Sequence, residues 1–114
     1  MNPKAISAEQ LNVWLNDQSS ELFLVDVREE EELEIASFPS KVLNLPLSKS
    51  SCWMDDLSKK LPNDRPIVVI CHRGVRSWDF GKWLLQQPFG YEVWNLNGGI
   101  DAWSMDIDSR VPRY

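Results

Sequence analysis

The stretch Cys71-His72-Arg73-Gly74-Val75-Arg76-Ser77 gathers a thiol, an imidazole, two guanidinium groups, a glycine and a hydroxyl. It directly follows the β-branched run Pro66-Ile67-Val68-Val69-Ile70 and precedes a helical pattern from Arg76 to Gln87. A cysteine at the end of a buried strand, before a short loop and a helix, is well placed as a nucleophile. Successive loop N–H groups can converge into an anion-binding nest, and the helix start adds unpaired N–H groups and the positive end of its dipole. Arg73 and Arg76 add cationic charge, and all of these favour a thiolate over a thiol. Gly74 lets the backbone turn where a side chain would obstruct it. The competing reading for Cys71 is a packing residue, because free cysteine is among the most buried residue types. For either arginine it is a solvated loop charge. His72 is a candidate base, but its adjacency to Cys71 turns its ring away from the sulfur and favours a place at the pocket rim. Cys52 stands apart from any such loop.

Asp26 and Arg28 lie two apart at the end of another apolar run, so they share one face of a strand. Hydrogen bonding that fixes neighbouring loops is their expected role. Cys71 and His72 are adjacent rather than spaced as a chelating pair, so no metal site is expected. A disulfide between Cys52 and Cys71 is the weaker reading for a cytosolic chain.

The elements that must position these groups alternate between helix and strand. Ser7 and Gln10 form a capping-box pattern that opens a helix over about Ala8–Asn16, with Leu11, Trp14 and Leu15 on one face. Leu22 to Val27 reads as a buried strand, and Glu29 to Ala36 as an acidic helix with Leu33 inward, stopped by Pro39. Val42 to Leu45 is a second strand, and Cys52 to Leu61 a helix ended by Pro62-Asn63. After the strand Pro66 to Ile70, the Arg76–Gln87 helix offers Trp78, Phe80, Trp83 and Leu84 for packing. Tyr91 to Leu96 is a further strand, Gly98-Gly99 a tight turn, and Ile100 to Met105 a short helix. The pattern predicts an α/β domain over residues 1–114, with a mainly parallel sheet and helices on both faces. Ligands of such sheets bind beyond the carboxyl ends of the strands, which selects the segment after Ile70.

The chain has 114 residues, a formal net charge of −5 and six tryptophans, most of them expected to pack in the core. The acidic balance argues against nucleic acid or an anionic membrane as partner. No signal-peptide pattern or membrane-length apolar run appears, so a soluble, cytoplasmic protein is expected.

The loop Ile70 to Ser77 resembles the active-site loop of the rhodanese family, in which the cysteine accepts a sulfane sulfur cradled by loop amides. Leu24-Val25-Asp26-Val27-Arg28-Glu29 is similar to the family's first signature, Asn44-Leu45-Pro46-Leu47 to the segment after it, and Asn95 to Trp103 to its carboxyl-terminal signature. Val111-Pro112-Arg113-Tyr114 resembles the end of some single-domain members. Ser37-Phe38-Pro39-Ser40-Lys41 departs from the family's common Gly-His-Ile-Pro-Gly-Ala segment and keeps only the proline.

The resemblance implies a thiosulfate-type sulfurtransferase working through a Cys71 persulfide, with His72 to Ser77 holding the sulfur and no metal or organic cofactor. It implies a small-molecule or protein sulfur donor and a thiol acceptor. Arg73 and Arg76 would attract an anionic donor if their side chains face the pocket, Arg76 most strongly; the alternative is that both point to solvent and only the loop backbone holds the sulfur. Two rivals are weighed. Cysteine phosphatases and arsenate reductases place an arginine six residues after the cysteine, where this chain has Ser77. Non-enzymatic rhodanese-fold binding modules typically lack the loop cysteine.

Overall fold

The computed structural model describes residues 1–19 and 21–114. The strands are β1 (Lys4–Ile6), β2 (Phe23–Asp26), β3 (Leu43–Asn44), β4 (Ile67–Ile70) and β5 (Val93–Leu96). They form one sheet in the order β1-β5-β4-β2-β3, and every pairing is parallel. From β2 the chain moves outward to β3, and from β4 it moves outward the other way to β5. The order therefore reverses between β2 and β4, the place where open α/β sheets bind ligands.

Side chains of the central strand β4 alternate between two cores. Ile67 and Val69, continuing to Cys71, join Val25, Trp53, Leu57, Phe80 and Leu84 on one face. Val68 and Ile70 join Ile6, Leu11, Leu24, Phe38, Ile100 and Trp103 on the other. All of β4 is buried, which explains why its sequence is apolar without alternation.

The helices are α1 (Ala8–Leu15), α2 (Glu30–Ile35), α3 (Ser50–Trp53), α4 (Leu57–Lys60), α5 (Val75–Leu85) and α6 (Gly99–Asp106). The capping box at α1 is present in full: Ser7 accepts from the Gln10 amide, and Gln10 accepts from the Ser7 amide. Trp14 meets Trp94 edge to face, with centroids 5.2 Å apart. Leu33 is half-buried.

One expectation is corrected, and one strand lies outside the elements read from the sequence. Cys52–Leu61 is not one helix: α3 and α4 are separated by a 3₁₀ turn at Met54–Asp56, and another 3₁₀ turn, Leu47–Lys49, precedes them. Trp53, Leu57 and Leu61 still share an inward face, but the Trp53 indole N–H donates to the Pro46 carbonyl at 2.9 Å. That tether and edge-to-face contacts with Phe80 and Trp83 override the helical pattern. The strand not read from the sequence is β1. It has no apolar run, and it exists because its backbone pairs with β5 from Lys4 to Ile6.

Candidate active site

The end of β4 delivers Cys71 into a turn closed by Gly74, the cap of α5, whose φ is 95°. A Cβ on Gly74 would stand 3.0 Å from the Gly98 amide nitrogen and 3.2 Å from the Leu96 carbonyl. Glycine is required here by both the left-handed backbone and the close approach. The turn brings the Gly74 N–H to 3.0 Å from Cys71 Sγ. Ser77, in the first turn of α5, sets its hydroxyl 3.2 Å from the same sulfur. The Ser77 hydroxyl donates to Asn95 Oδ1 on β5, and Asn95 Nδ2 donates to the Gly74 carbonyl at 3.2 Å. Cys71 closes a hydrogen-bonded ring with three neutral groups, Gly74, Ser77 and Asn95. Asn95 was quoted in the sequence only as part of a signature. Its part in the ring depends on β5 lying beside β4.

Helix α6 holds the loop from the other side. The Ile100 N–H donates to the Cys71 carbonyl at 2.9 Å, and the Asp101 N–H to the His72 carbonyl at 3.0 Å. A Cβ on Gly99 would lie 2.4 Å from both of those carbonyl oxygens. Gly99 is thus where two backbones touch, and the start of α6 ties down the carbonyl side of the peptides around Cys71.

Asp26 and Arg28 are completely buried. Arg28 donates to Asp26 from Nε at 3.0 and 3.1 Å, from Nη2 at 2.8 Å and from its backbone N–H at 3.0 Å. The guanidinium also donates to the Tyr114 hydroxyl at 3.0 Å. Asn44 Nδ2 bonds the backbone carbonyls of Asp26 and Arg28, so Asn44 ties β3 to the end of β2 where the ion pair sits. Neither residue bonds Cys71, and both act through neighbouring loops.

Beyond Arg28 the network runs outward. Tyr114 donates to Glu32 Oε2 at 2.7 Å, and Glu32 holds Arg76 by two hydrogen bonds of 2.7 and 2.9 Å. The Arg76 guanidinium holds the Glu32 carboxyl at about 2, well below its ordinary 4.5. The Arg76 pKa moves up from its ordinary value, chiefly through that hydrogen bond. From the sequence Arg76 faces either an incoming anion or solvent; in the fold its guanidinium is instead paired with a carboxylate of the chain itself. Arg73 is exposed at the loop surface, as is Val75.

The His72 ring stacks flat on Tyr114, with centroids 3.9 Å apart and planes 7° apart. Its Nε2 is buried with no partner among the described residues. Tyr114 thus joins His72, Arg28 and Glu32, and Glu32 and Tyr114 are the site residues that sequence reasoning missed. The acidic Glu29–Glu34 stretch and the quoted terminal segment were the only signals. Cys52 and Cys71 are both free, Cys52 exposed and Cys71 buried. Among the described residues no cluster of three or more His, Cys, Asp or Glu side chains could hold a metal ion, and no helix is long and apolar enough to cross a membrane.

Comparison with known proteins identifies the family and the fold. The family described as rhodanese-like domain matches residues 7–106. A sulfurtransferase of Allochromatium vinosum is 35% identical, covering 87% of this chain and 86% of its own length. The chloroplastic rhodanese-like/PpiC domain-containing protein 12 of Arabidopsis thaliana is 39% identical over 97% of this chain. The chain spans 37% of that protein's length, and 25% of each of two other curated relatives it matches. The crystal structure of a rhodanese-like domain protein from Staphylococcus aureus superposes with a TM-score of 0.75 at 24% identity, covering 97% of this chain and 98% of that one. With its loop cysteine in an amide turn at the end of the central parallel strand, the chain belongs to the rhodanese-like domain family.

Proposed function

We propose that the protein is a sulfurtransferase that carries sulfane sulfur as a persulfide on Cys71. The observation that carries this reading is the position of Cys71 Sγ, held by the Gly74 amide and beside the Ser77 hydroxyl at the carboxyl end of β4. The Cys71 thiolate attacks the outer sulfur of thiosulfate; a Cys71–sulfur bond forms, the donor's sulfur–sulfur bond breaks, and sulfite leaves with the bonding pair. With a thiol persulfide as donor the same attack releases a thiolate. The new terminal sulfur carries the negative charge, and the loop from His72 to Ser77 stabilises it with fixed dipoles, as an oxyanion hole stabilises oxygen. An acceptor thiolate then removes that sulfur and restores the Cys71 thiolate. The step balances without a metal or organic cofactor.

The donor is a small molecule or a protein persulfide, and the acceptor a thiol. The net charge of −5 supports partners other than nucleic acid or an anionic membrane. Two free cysteines suit a reducing, cytoplasmic setting. The names of the sulfurtransferase relatives support the reading.

The test is mass spectrometry of the protein after incubation with thiosulfate or a small-molecule persulfide. The Cys71 peptide is expected to gain one sulfur atom, to lose it to cyanide, and to gain none in Cys71→Ser. A folded wild-type protein that takes sulfur from neither donor, or a Cys71→Ser protein that still turns over, overturns the proposal. Turnover of p-nitrophenyl phosphate in place of sulfur transfer would favour the phosphatase reading.

A further inference from the structure

An arginine at the mouth of a site that accepts an anionic donor ordinarily offers its planar fork to that anion. Here the fork is already occupied. Arg76 Nη1 donates to Glu32 Oε1 at 2.7 Å and Nη2 to Oε2 at 2.9 Å, the two-point geometry by which arginine holds a carboxylate or an oxyanion. Two more donors lock that carboxylate in place. The Tyr114 hydroxyl reaches Oε2 at 2.7 Å, and the Glu29 N–H reaches Oε1 at 3.2 Å. Tyr114 is in turn held by Arg28 and stacked on His72. Four hydrogen bonds from three residues, Arg76, Tyr114 and Glu29, hold Glu32 on the loop arginine that lies within electrostatic reach of Cys71. An entering sulfonate must displace this carboxylate or approach beside its charge. The other loop cation offers little in exchange, because Arg73 is exposed and lies in the field of Asp101, itself bonded to Arg113 at 2.9 Å.

We propose that Glu32 is a specificity-determining residue that occupies the anion fork of Arg76, so that the site selects a persulfide carried on a thiol over thiosulfate. The inference rests on the sulfurtransferase reading above and names its donor class. The distinction is chemical. Thiosulfate carries its leaving group as a sulfonate, which becomes sulfite, whereas a thiol persulfide leaves as a thiolate and brings no sulfonate to the loop. In both cases the Cys71 thiolate takes the outer sulfur and the donor's sulfur–sulfur bond breaks. Only thiosulfate meets the internal carboxylate.

The experiment compares kcat/KM for thiosulfate and for the persulfide of N-acetylcysteamine, whose body is uncharged, in the wild type and in Glu32→Gln. The wild type is expected to prefer the persulfide by about tenfold or more, which is one decade in relative transition-state stabilisation. In Glu32→Gln the thiosulfate-to-persulfide ratio should rise by about fivefold or more, and the rise should shrink with added salt because it comes from a newly uncompensated charge. Sulfite should also become a stronger inhibitor of the variant. Circular dichroism establishes that the variant is folded. If it is not, the wild-type donor ratio alone decides, and a preference for thiosulfate overturns the inference. An unchanged ratio in folded Glu32→Gln overturns it as well. Failure of both donors to load Cys71 sinks the sulfurtransferase reading itself, whereas loading by both with thiosulfate preferred sinks only the role of Glu32.

Discussion

Two regions flank Cys71 and are built on opposite electrostatic plans. On one side lies the neutral ring of Gly74, Ser77 and Asn95, which aims an amide N–H at the sulfur and sets a hydroxyl oxygen beside it. On the other runs the charged chain Asp26–Arg28–Tyr114–Glu32–Arg76, in which each guanidinium meets a carboxylate. The neutral ring touches Cys71 Sγ, the proposed nucleophile; the charged chain holds its surroundings. The difference teaches that formal charge near a nucleophile need not serve it. Fixed dipoles cost no reorganisation when charge develops, whereas side-chain ions already paired with one another give little net field.

The comparison can be broken most severely from its buried end. Arg28→Ala leaves the Asp26 carboxylate without its partner inside the sheet, and breaking a buried pair this way costs about 3–5 kcal/mol. Urea unfolding is expected to show a loss of that size. A loss under about 1 kcal/mol would mean that the buried Asp26–Arg28 pair does not hold the end of β2.

Ser77→Ala strikes the neutral side. It removes the hydroxyl beside Cys71 Sγ and leaves Asn95 Oδ1 without its donor. Transfer is expected to fall about tenfold in kcat, or about 1.4 kcal/mol in barrier, with the persulfide still detectable by mass. Ser77→Thr should recover part of the rate by restoring the hydroxyl. Unchanged kcat in Ser77→Ala would reduce the cradle to its backbone.

Glu32 sharpens the charged side through pH. Its carboxyl is held at about 2 in the fold against an ordinary 4.5, so the unfolded chain binds the proton first as pH falls. The stabilisation is fully present above about pH 4.5 and is lost as pH drops through about 2. Wild type should therefore outlast Glu32→Gln at neutral pH by about 1 kcal/mol, a modest value because Arg76 is partly solvated. The two stabilities should converge toward pH 2. A gap that stays constant across that window would remove the ion pair as its cause.

The smallest effect belongs to Cys52, exposed on α3 and outside both regions. Cys52→Ala should hold kcat/KM within about twofold. A drop of about tenfold would bring it into the reaction as a relay thiol.

What could be read along the chain was whatever depends on near neighbours. The β-branched run of β4, the cysteine after it, Gly74 and the following helix are contiguous, so the strand–loop–helix setting of Cys71 was legible directly. The alternation of elements likewise indicated an α/β domain, and the sheet proves parallel throughout the described residues. Asp26 and Arg28 were recognisable because two residues along a strand return to one face.

The misreadings arise where partners are distant. The Cys52–Leu61 segment has a helical pattern, but Trp53 is anchored to Pro46 and packs on Phe80 and Trp83, and that packing breaks the helix. Lys4–Ile6 has no strand signal of its own and gains one from β5. Arg76 looked like a free cation because its carboxylate lies 44 residues away in sequence, and Tyr114 reaches Glu32 across 82. The strand-end position of Cys71 and its turn were thus determined by the sequence itself, since local backbone geometry follows from adjacent residue types. Which charges near it stay uncompensated was decided only by the tertiary structure, because side-chain charges cancel through space, wherever the folded chain brings them together.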